Sequence, residues 1–145
     1  MANFVYTYAK RDLLTQAIIL DYNTIKVALV MANTTAGTEE DAEHLDDFTT
    51  LDEMDGANYA RQTITTPVVA ADNANDRGEF DGDDVSWNAL GSGTRQVQAA
   101  ILLYDTGNDA TSVPIAYYDT AGFPFDPAGS YVSLAWSAEG ILQAT

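Results

Sequence analysis

The sequence has no cysteine. That excludes a disulfide framework, a thiolate zinc site and a cysteine nucleophile. Positive charge is almost as scarce. Six Lys and Arg stand against 22 Asp and Glu, giving a formal net charge of -16, and no lysine follows Lys26. With so few cations to neutralise phosphates, DNA or RNA is not expected as a direct partner, and an anionic membrane surface is equally disfavoured. No apolar run approaches the ~20 residues of a membrane span. The opening MANFVYTYAKRD lacks the basic-then-apolar layout of a signal peptide, so the expectation is synthesis in the cytoplasm. No phosphate-loop glycine motif and no nucleophile elbow is present, and Gly91-Ser92-Gly93 has the wrong spacing for the latter. That stretch reads as a hairpin turn. The expectation is a chain that is not an enzyme and carries no cofactor.

What is present argues for a folded domain. Hydrophobic residues make up 46% of 145 residues and charged residues only 19%. This length and composition fit one domain, 1–145, with a real core. Charge is distributed unevenly: 15 of the 22 acids lie between Glu39 and Asp84, opposed there only by Arg61 and Arg77. If that region shares a face, a one-sided negative field follows.

Leu13 and Leu14 recur at Ala17 and Ile18, which predicts a short helix near 8–19 packing through those four residues. Residues 24–32, TIKVALVMA, predict a strand buried on both faces. Thr38 before Glu39, Glu40 and Asp41 reads as a helix cap, and Ala42, Leu45, Phe48 and Leu51 predict one or two helical turns with Glu40, Glu43 and Asp47 outward. From Asn58 the chain reads as all-β. Strands are expected over 59–66, 68–71, 84–90, 95–105, 113–119, 130–137 and 140–144, with Pro114 pushing its strand toward an edge. The turn-rich segment 72–84 reads as a hairpin approach. Strand spacing of this kind predicts a mainly β fold, an antiparallel β-sandwich or partly open barrel, with one or two short helices in the N-terminal third.

Candidate chemistry is sparse. His44 reads either as a metal ligand beside Glu40 or Asp47 or as a solvated helix residue, and one histidine without cysteine is a poor transition-metal set. A calcium-loop template falls on Asn73, Asn75, Gly78, Glu79, Asp81 and Asp84, but places Arg77 where a ligand is required and lacks the bidentate Glu. A solvated turn is the default there. Trp87 and Trp136 would suit a sugar-stacking platform in a glycan-active enzyme, yet each alternates with core residues. Two tracts suggest partner contact. Residues 1–8, with Phe4, Tyr6 and Tyr8, read either as a contact arm or as a segment packed under its own domain. Phe123 and Phe125, held by Pro124 and Pro127, read either as a pre-ordered anchor or as a plug at the end of the sandwich.

The phrases NFVYTYAKRDLLT with IKVALV, TTLDEMDGANYARQTI, NDRGEFDGDDVSW, AILLYDTGNDATSVPIAYYDT and VSLAWSAEGILQAT together cover nearly the whole chain. They resemble the small structural proteins of tailed bacteriophages that decorate or cement the head shell. The resemblance implies a β-rich domain bound to the outer face of the major capsid protein, as a homo-oligomer for which a trimer is one arrangement. It carries no catalytic residues. A tail or neck component, joining virion parts or binding a host-surface glycan, is the alternative, and copy number separates the two.

Overall fold

The computed structural model describes residues 3–120 and 122–145. The fold is mainly β, with antiparallel sheets, one helix near the N-terminus and no closed barrel among the described residues, and it is sandwich-like. Among the described residues, ten short strands build three sheets.

The core sheet has the order β1-β8-β7-β2-β3, with β1 Phe4–Val5, β2 Ile25–Met31, β3 Gln62–Thr63, β7 Val97–Tyr104 and β8 Val113–Tyr118. β2 and β7 pair from Ile25↔Tyr104 to Met31↔Val97. Their near-continuous apolar sequences follow from burial on both faces: Val27, Leu29, Ile101 and Leu102 are essentially sealed from solvent. β8 lies between β1 and β7, not at the edge that Pro114 suggested. The proline is accommodated because β1 reaches only Ala116 and Tyr117, and a register shift at Leu102/Leu103 brings Leu103 opposite Pro114.

A second sheet pairs β6 Val85–Leu90 with β9 Ser130–Leu134. Leu29 of β2 and Trp87 of β6 line one hollow, so this pair covers a face of the core sheet. Ala89 is exposed at φ 48° in a bulge where the register slips between Trp87 and Leu90. Gly91-Ser92-Gly93 crosses from this sheet to β7, so it is not a hairpin turn. The third sheet has the order β10-β5-β4, with β4 Val68–Asp72, β5 Arg77–Asp81 and β10 Leu142–Ala144.

Helix α1 spans Thr7–Leu14 and packs against β8. Its first N–H donates to the Glu40 carbonyl at 2.9 Å. It ends five residues before the expected limit, because Gln16 takes the left-handed conformation at φ 60°. The chain then doubles back, and Ile18 N–H donates to the Asp12 carbonyl. Ile18 is buried through that reversal, not through helical periodicity. The inward face is Ala9 and Asp12; Leu14 is 86% exposed and Ala17 is exposed.

Between β2 and β3, only a 3₁₀ turn at Leu45–Asp47 forms, and Thr38 caps no helix: its hydroxyl donates to the Thr35 carbonyl. The expected inward row survives, with Ala42, Leu45 and Phe48 buried and Leu51 half-buried.

Candidate functional site

The N-terminal aromatics are part of the domain. Tyr6 is fully buried, and its hydroxyl donates to the Ala36 carbonyl at 2.8 Å. This corrects its expected place on a contact surface: the segment is captured because β1 hydrogen-bonds to β8 and Tyr6 N–H continues that ladder to the Ile115 carbonyl. Phe4 stacks on Tyr117 at 5.4 Å, and Tyr8 is half-buried beneath the Arg11 guanidinium. Met1 and Ala2 of the expected arm lie outside the described residues.

Phe123 and Phe125 are both half-buried, with ring centroids 5.6 Å apart. Phe125 exchanges two backbone hydrogen bonds with Val97, which stitches the loop to the start of β7. The two rings border the same hollow as Leu29 and Trp87.

The calcium template does not form a ligand ring. Gly78, Glu79 and Asp81 belong to β5, where successive side chains point to opposite faces. The acids instead gather round a cation of the chain itself: Arg77 pairs with Glu79 at 2.7 Å, with Asp72 at 3.1 Å and with Glu139. His44 groups with Asp46 and Asp47, not with Glu40. Asp47 there accepts the backbone N–H groups of Glu43 and His44, which is a local turn role. The two tryptophans form no platform. Trp87 is buried and donates to the Ala60 carbonyl, whereas Trp136 packs edge-on to Tyr118 and donates to the Asp83 carbonyl.

The feature that sequence reasoning missed is an open apolar groove of about 630 Å³ between α1 and the third sheet. One wall is a single helix face, Lys10, Leu13 and Leu14, spaced i, i+3, i+4. The floor is a row set by strand register: Val69 of β4, Phe80 of β5 and Leu142 of β10 lie side by side. In the next row Gly78 and Ala144, which also line the groove, have short side chains and deepen the trough. The available signal was the apolar VVAA of β4, where Val68 and Val69 are 54% and 52% exposed.

Charge sharpens the picture. Five of the six cations are held by acids of the same chain. Arg11 pairs with Asp12 and Glu43, Lys26 with Asp105, Arg61 with Glu53 and Asp109, Arg77 as above, and Arg95 with Asp52. Among the described residues, Lys10 alone has no carboxylate at ion-pair distance, and it stands on the groove wall. Some carboxyls are pinned by these contacts. Arg95, together with the Asn33 N–H, holds Asp52 below the usual carboxylate range. Burial would raise Asp105, but the Lys26 ammonium and the Gly107 N–H outweigh it and hold it low.

No helix of the described residues is long and apolar enough to cross a membrane. Comparison with protein-family models, with curated proteins and with solved structures returned no match.

Proposed function

We propose that this chain is a virion structural protein of the cement or decoration type, which adheres to the outer surface of the major capsid protein and stabilises the head. On this reading it is made in the host cytoplasm, sits on the virion exterior as a homo-oligomer such as a trimer, and works by contact, without a cofactor or a chemical step. The observation that carries the reading is the open groove, an apolar surface built on α1 and the third sheet and left uncovered by the other described residues.

The electrostatics support it. An outward-facing protein with a net charge of -16 keeps particles apart in solution, and the same charge would be repelled by packaged DNA. A cement protein adds contacts that expansion or rupture must break, a mass-action linkage between binding and particle stability. The resemblance of the chain to head-decorating phage proteins points the same way.

Two measurements test the proposal. Particles that lack the chain should burst at lower temperature, or under milder osmotic shock, than complete ones. The ratio of this chain to the major capsid protein in purified particles should be near that of a shell component. A ratio of a few copies per particle indicates a tail or neck component instead, and unchanged resistance to bursting contradicts cementing.

A further inference from the structure

We infer that the groove between α1 and the β10-β5-β4 sheet receives an apolar peptide segment of a partner protein, and that one carboxylate of that segment pairs with Lys10. The inference rests on the docking reading above and names the surface and the chemistry of its occupant.

The shape argues for a macromolecule. Small-molecule sites enclose most of their ligand. Here the rims are themselves apolar and open: Leu14 is 86% exposed on one side and Val69 52% on the other. A single acyl chain on the floor would leave both rims in water, whereas a peptide packed on a wider surface covers floor and rims together. β4 is the outer strand of its sheet and is paired on one side only among the described residues. Its outward backbone groups can hydrogen-bond an added segment.

Charge selects the occupant further. Lys10, with no acid partner among the described residues, offers a cation on an otherwise apolar wall. The complement is one carboxylate beside apolar side chains. The rest of the surface is strongly acidic, so the partner around that segment must be neutral or basic. A second copy packed groove against groove is the wrong complement, because that arrangement sets Lys10 facing Lys10.

The test selects a random twelve-residue peptide library on the purified native chain. The expected binders carry two or more Val, Leu, Ile or Phe residues and one Asp or Glu. Their affinity should fall at least about tenfold on Leu14→Glu, the effect of removing one well-packed apolar side chain from the groove wall, and should survive Phe123→Ser. Lys10→Met, which keeps the apolar stem, should abolish the preference for the acidic residue. Leu14 is so exposed that the substitution leaves the core untouched, and an unchanged unfolding curve checks this. Binders indifferent to Leu14→Glu, binders without an acidic preference, or no binders at all would overturn the inference. So would self-association in sedimentation velocity that Leu14→Glu abolishes. Peptide binding at the groove without binding to phage particles would leave this inference standing and remove the capsid reading instead.

Discussion

The guanidinium of Arg61 lies 2.6 Å from the carboxylate of Glu53, and through it anchors a relay that ends on the core sheet. Glu53 also accepts the Tyr59 hydroxyl at 2.8 Å, and the Tyr59 oxygen accepts the backbone N–H of Leu29 at 3.0 Å. Arg61 reaches Asp109 in the β7–β8 turn as well, at 2.9 Å. Arg61→Met should therefore cost about 2 kcal/mol, because it strands two carboxylates and leaves the relay without its cation. Urea unfolding measures this, and a variant as stable as the native chain would show the relay to be inert.

Tyr6→Phe removes one buried hydrogen bond and no packing. The expected loss is about 1 kcal/mol, with partner binding unaltered. Weakened binding at full stability would return Tyr6 to the contact surface.

Glycine positions separate tight from open backbone. A Cβ on Gly56 would come within 2.1 Å of the Gly91 carbonyl oxygen, which is backbone and cannot swing away. Gly56→Ala should cost about 1–3 kcal/mol. A Cβ on Gly78, in the groove floor, meets only the Ala144 Cβ at 4.0 Å. Gly78→Ala should leave thermal unfolding within the usual surface range of about 0.5 kcal/mol. Equal effects at the two sites would contradict this packing.

These contrasts show what the sequence carried. β2 and β7 were legible because burial on both faces leaves long apolar runs, whereas β8 was legible as a strand but not in its interior place in the sheet. Helix α1 was misjudged because Ile18 continues the period of Leu14 while a left-handed Gln16, which no composition signal marks, reverses the chain. The hairpin turn after β4 was legible, but strand β5 hid in a stretch dense with Asp, Asn and Gly. Its acids are spread along a strand that pairs with β4 on one side and with the distant β10 on the other. The groove was invisible for the same reason, since its walls come from segments more than fifty residues apart.

Acid should unfold the protein in a defined window. Asp52 is held below the usual carboxylate range, chiefly by Arg95. A depressed folded-state value contributes stability that is fully present above the unfolded value of about 3.9, and lost as pH falls through the folded value. Asp52→Asn keeps a residue tolerant of the positive φ at this position. It should lower stability at pH 7 by about 1–2 kcal/mol and leave a shallower dependence on pH below 4. Parallel native and variant profiles across that range would show that the Asp52–Arg95 pair contributes nothing.

The central claim is adhesion to a virion shell, and the most direct measurement is co-sedimentation of the purified chain with phage particles stripped of it. Saturable binding to the head, restored resistance to heat, and loss of both on Leu14→Glu are the outcome this account predicts. A chain that stays in the supernatant at every concentration, while the particles remain intact without it, would contradict it.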